Sequence, residues 1–109
     1  MAQVEKKIVD GKVAVLVSPG FGAGWSTWSS AFGDFLVFDK GLVELAERGA
    51  PAEEAEARVK EVFGEDAYVY MGGWSNVEIR WLPEGHRFYI HEYDGSESVV
   101  DADNLVMQA

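Results

Sequence analysis

The sequence predicts one small α+β domain over residues 1–109, an antiparallel or mixed sheet with two or three helices inserted after the first strand and packed on one face. Three observations predict it. A β-branched apolar run stands near the start, helical periodicity fills the middle, and period-two alternation dominates the end.

The apolar run is Lys12-Val-Ala-Val-Leu-Val-Ser18, bounded by Asp10-Gly11 and Pro19-Gly20. It lacks alternation, so it reads as a central strand buried on both faces. Asp10-Gly11 is a hairpin signal and turns it back onto a short leading strand around Lys7 to Val9. A short helix is expected somewhere within Ser26–Phe35.

Asp39 is placed to cap a helix from Lys40 to Arg48, with Leu42, Val43, Leu45 and Ala46 as its apolar stripe and Gly49 as its stop. Pro51 suits the first turn of a second helix ending at Phe63, and Glu53 and Glu54 complement its positive start. Ala52, Ala55, Val59, Val62 and Phe63 are its inward face. Ala67–Met71 reads as a strand, as do Val77–Trp81, Arg87–Tyr93 and Ser98–Val100; Leu105–Met107 is a candidate last edge. Within Arg87–Tyr93, Phe88 and Ile90 point one way, and Tyr89, His91 and Tyr93 the other.

Composition narrows the function. The chain is 48% hydrophobic and 13% aromatic, enough for a core despite its charge. It has no cysteine, which excludes disulfides, thiolate metal sites and cysteine nucleophiles. No run nears the roughly 18 apolar residues of a membrane span, and the N-terminus lacks a signal-peptide pattern, so a cytoplasmic setting is expected. The net charge of −10 is segregated: residues 44–66 carry eight acids and three bases, and residues 84–103 six acids and one base. Such a surface repels nucleic-acid backbones and anionic membranes.

The candidate site is Ser18-Pro-Gly-Phe-Gly-Ala-Gly-Trp-Ser-Thr-Trp28. Gly20, Gly22 and Gly24 permit backbone N–H groups to converge into an anion-binding nest, and Trp25 and Trp28 offer flat rings beside the hydroxyls of Ser18, Ser26, Thr27, Ser29 and Ser30. Neither the dinucleotide fingerprint nor the phosphate loop is matched, because Trp25 stands where the last glycine belongs and no lysine is present. The same glycines serve equally to let bulky tryptophans pack on a sheet. A second glycine–aromatic turn, Met71-Gly-Gly-Trp-Ser-Asn76, places Trp74 across from the first loop if the flanking strands lie beside the first strand; a plain strand connection fits as well. Arg80 on a neighbouring strand, with Tyr89, His91 and Tyr93 on one face, would supply charge and specificity, or simply decorate a half-exposed face.

Catalysis is weakly supported. Ser18 or Ser26 with His91 and Asp94 makes a triad on paper, but no nucleophile-elbow sequence accompanies it. The two histidines lie five residues apart on an expected strand and face opposite ways, so they cannot share a metal. Asp94, Glu97, Asp101 and Asp103 match no calcium loop. No cofactor is implied.

Lys12 to Trp28, Trp81-Leu-Pro-Glu-Gly85 and Ile90-His-Glu-Tyr-Asp-Gly95 together resemble a family of short acidic proteins of bacteriophages and their hosts, with the glycine–tryptophan loop as the most specific part. The resemblance carries over no catalytic residues. It implies a setting of blunted host defence, in which some such proteins bind nucleotide-derived signals and others present acidic surfaces to nucleic-acid-binding enzymes. Two expectations follow. One is a non-enzymatic binder of a small nucleotide-like ligand, with Gly20 to Gly24 taking the phosphate or ribose and Trp25, Trp28 or Trp74 stacking on the base. The other is an acidic decoy whose partner is a basic host protein. A homo-oligomer with the aromatic loop at its interface is a further expectation.

Overall fold

The computed structural model describes residues 4–19, 24–28, 32–93 and 95–101, the side chains of Trp28 and Asp101 apart. Its elements run β1 (Ile8–Val9), β2 (Lys12–Val17), a 3-10 turn (Ser26–Trp28), α1 (Gly33–Phe38), α2 (Lys40–Arg48), α3 (Ala52–Phe63), a 3-10 helix (Met71–Asn76), β3 (Glu78–Pro83), β4 (Phe88–Tyr93) and β5 (Ser96–Asp101). This is an α+β arrangement in which every strand pairing is antiparallel.

The leading hairpin forms as its turn chemistry dictates. Asp10 and Gly11 both adopt positive φ, at 52° and 76°, and bring Val9 opposite Lys12. That pair of angles is the twist-matched two-residue turn. β2 lies between β1 and β3 in a three-stranded sheet, while β4 and β5 form a separate hairpin.

β2 is buried on both faces because two different layers cover it. Ala14 and Leu16 point into a core with Trp25, Leu36, Leu42, Val43, Ala55, Val59 and Trp74. Val15 and Val17 point the other way, against Val37 of α1 and, through Leu82, Phe88, Ile90 and Val99, against the β4–β5 hairpin. Strand alternation thus serves two cores at once, and a run with no polar residue is what that position demands. α1 bridges them, since Phe35 and Leu36 belong to the first core and Val37 to the second.

The α2 boundaries follow local signals. Asp39 accepts from the backbone N–H of Leu42 at 3.0 Å, and Gly49 ends the helix in the left-handed region. Asp39 is also buried, and Arg58 of α3 grips it with Nε to Oδ2 and Nη2 to Oδ1, both at 2.9 Å. One carboxylate therefore starts α2 and fastens α3 to it. The hydrogen bond to Asp39, aided by charge attraction to it and to Glu61, outweighs burial and raises the Arg58 pKa.

Three expectations change. Ala67–Met71 is not a strand: Val69 is buried and Tyr68 and Tyr70 are exposed, so the alternation is present, but both edges of β2 are already taken by β1 and β3. Extended propensity without a free ladder leaves irregular chain. Phe63 is 47% exposed, packing its ring on Phe32 and Phe35 at the margin of the first core. β3 and β4 are not sheet neighbours, so Arg80 and His91 belong to different sheets. Leu105–Met107 lies outside the described residues.

Candidate functional site

Backbone amides of Ser18, Trp25 and Thr27 converge on one of the protein's own carboxylates. Glu97, 1% exposed on β5, sends Oε1 to the backbone N–H of Ser18 at 2.9 Å. Its Oε2 accepts from the backbone N–H groups of Trp25, at 2.7 Å, and Thr27, at 3.0 Å, and from the Thr27 hydroxyl at 2.5 Å. The Glu97 backbone N–H donates to the Ser18 carbonyl at 2.8 Å, and the Ser96 hydroxyl to that of Pro19 at 2.6 Å. The expectation put converging amides at Gly20, Gly22 and Gly24, of which Gly20 and Gly22 lie outside the described residues. The amides that converge are those of Ser18, Trp25 and Thr27, and their partner is Glu97, weighed in the sequence only as a metal ligand.

The tryptophans are interred as well. Trp25 is 0% exposed and Trp74 5%, with ring centroids 5.4 Å apart and planes tilted by 56°. Trp25 Nε1 donates to the Leu36 carbonyl at 2.8 Å, and Trp74 Nε1 to that of Ala50 at 2.7 Å. The two glycine–aromatic turns do meet, but by direct packing: a Cβ on Gly73 would lie 2.2 Å from the Gly24 carbonyl oxygen. Expectation and structure part here. Trp25 offers no face to a ligand and Trp74 only a narrow margin, because the missing side chain at Gly73 lets the backbones close around both indoles.

The remaining candidates scatter. Ser18 is fully buried, and His91 is exposed with Tyr89 and Tyr93 on the outer side of the hairpin, so no serine–histidine pairing forms between them. Gly20, Gly22 and Asp94 lie outside the described residues, as does the Trp28 side chain. Among the described residues no group of three or more His, Cys, Asp or Glu could hold a metal ion, and no helix is long and apolar enough to cross a membrane.

Arg80 does line a cavity. It measures about 590 Å³ and lies between β3 and β5, with Arg80 and Trp81 on one side, Ser96 and Ser98 on the other, and Pro19 and His86 also in its wall. Both strands are sheet edges, so side chains from each can reach around into the gap. Glu97 also borders the cavity, yet both its oxygens are held by the loop. Arg80 is half-exposed and pairs with Glu78 at 2.7 Å, an exposed contact of the kind worth at most about 1 kcal/mol and easily exchanged.

Trp81 was not among the expected site residues. It lies opposite Ala14, on the helix-facing side of the sheet. At a free edge that side is not fully covered, and Trp81 is 38% exposed. Of the tryptophans with described side chains it is the most exposed, against 0% for Trp25 and 5% for Trp74. The signal that would have found it is position in the sheet, which periodicity does not encode.

Comparison with protein-family models, curated proteins and solved structures finds no match to this chain.

Proposed function

We propose that the protein is a non-enzymatic binder of a small anionic, ring-bearing molecule of nucleotide-like chemistry, held in the cavity between β3 and β5. The observation that carries this reading is the cavity's charge: in a chain of net −10, its available charged side chain is the Arg80 guanidinium. Its volume falls within the range of about 300–1,000 Å³ usual for ligand pockets. Arg80 would meet a phosphate or carboxylate, Trp81 would stack on the ring, and the Ser96, Ser98 and His86 side chains would bond polar edges. The resemblance to phage proteins favours a nucleotide-derived signal of host defence as that ligand.

Isothermal titration of the whole protein with cyclic dinucleotides, ADP-ribose derivatives and common nucleotides tests the reading. Binding by one of these classes, weakened at least tenfold in Arg80→Ala and in Trp81→Leu, is the expected result. Absence of binding across all three classes, or binding that both variants leave unchanged, would overturn it.

A further inference from the structure

A second concavity lies apart from the Arg80 cavity. It measures about 420 Å³ and is bounded by Ala46, Ala50 and Pro51 at the α2–α3 turn and by Met71, Trp74 and Val77 around the second 3-10 helix. The short side chains of Ala46 and Ala50 leave it open, and the Trp74 ring, pinned through its Nε1 to the Ala50 carbonyl, forms a fixed apolar wall. A rigid aromatic wall beside small residues is the form of a pocket that takes one side-chain anchor.

The surroundings choose the occupant's charge. Residues 44–66 hold eight acids against three bases. Two of those bases are already engaged, Arg48 by Glu54 and Arg58 by Asp39 and Glu61. Glu53, next to the lining residue Ala52, is exposed, and among the described residues it makes no ion pair. An aromatic ring borders the same region: Tyr70 lies against the lining residue Gly72, where an added Cβ would come within 2.6 Å of its ring. Exposed tyrosines beside an apolar pocket are enriched at protein interfaces, and flat rings attract guanidinium and ammonium groups.

The geometry points to this concavity as a docking site for a cationic segment of another protein, with one apolar side chain inserted against Met71 and Trp74 and flanking lysines or arginines over Glu53 and Tyr70. The site is independent of Arg80, and its failure would leave the β3–β5 cavity untouched.

The test uses two fluorescein-labelled nine-residue peptides of alternating lysine and arginine, one with a central phenylalanine and one with a central serine. Titrated with the whole protein, the phenylalanine peptide is expected to bind at least tenfold more tightly and to weaken as salt is raised. Ala46→Met, which narrows the opening, and Glu53→Lys should each reduce its binding several-fold. Amide shift perturbation in the unaltered protein keeps the test decisive should a variant fold poorly, and is expected at residues 46–52 and 71–77. Equal binding of both peptides, binding insensitive to salt, or perturbation centred on β3 and β5 would overturn the proposal. So would concentration-dependent self-association that Ala46→Met abolishes, because the occupant would then be a second copy of this chain.

Discussion

Glu97 Oε2 accepts the backbone N–H of Trp25 at 2.7 Å across 72 residues of sequence, and this bond joins the last hairpin to the first loop. Three amides and a hydroxyl depend on that one carboxylate. Replacing Glu97 by Ala removes that acceptor, at a cost of roughly 1–3 kcal/mol for each group that water cannot reach. A total loss of at least about 3 kcal/mol in urea unfolding is expected. Glu97→Gln should fare little better, since its NH2 would point donors at donors. Full stability in the glutamine variant would show that the loop is held by something else.

Gly73→Ala should be among the more damaging small substitutions in the chain. The new methyl carbon would sit 2.2 Å from the Gly24 carbonyl oxygen, a backbone atom with no rotamer to yield. Overpacking of this kind costs about 1–3 kcal/mol or more. Separation of Trp25 from Trp74 should also weaken the near-ultraviolet circular dichroism, which an unstrained alanine would leave intact.

Asp39 and Arg58 form a testable couple. Asp39→Ala removes the α2 cap and leaves Arg58 only its exposed contact with Glu61, while Arg58→Met leaves a buried carboxylate with one amide partner. Breaking a buried pair costs about 3–5 kcal/mol, and a lost cap about 1 kcal/mol. Arg58 keeps a third of its surface in water, so the lower end of that range is expected. The double variant should be less destabilised than the sum of the singles by at least about 1 kcal/mol in a denaturation cycle. Strict additivity would mean the two side chains act separately.

Lys7 gives a pH signature. Hydrogen bonding to Glu47, aided by charge attraction to Glu47 and Glu44, raises its pKa above the ordinary lysine value of 10.5. A group whose pKa rises on folding lends its stability below the unfolded value and loses it as pH climbs through the folded one. The stability difference between Lys7→Met and the parent should therefore be constant near neutrality and shrink above pH 10.5. It should also be small and fall with salt, because the pair is exposed.

What was legible in the sequence is local chemistry. Asp39 as a cap, Gly49 as a stop and Asp10-Gly11 as a hairpin turn act over a few residues, and each stands where the sequence puts it. The unbroken apolar run of β2 implied cover on both sides, which the helices and the hairpin supply. What was illegible depends on distant partners. Tyr68, Val69 and Tyr70 alternate as a strand does, yet whether a strand forms is decided by which edges are free. Glu97 looks like one more acid in an acidic tail, and its function exists only once Ser18, 79 residues earlier, has folded beside it. The glycine–tryptophan loop stands out in the sequence, but burial or exposure of Trp25 and Trp74 turns on the close approach of Gly73 to Gly24.

Because the acceptor for the Trp25 amide sits so late in the chain, the order of synthesis matters. A ribosome delivers the amino-terminal strands and all three helices well before residue 97 leaves the exit tunnel. Until then the early turn has its donors and no anion to receive them, so its final shape must wait for translation of the carboxy-terminal hairpin. A chain cut short before that point keeps its helices' code but lacks the clasp that closes the molecule.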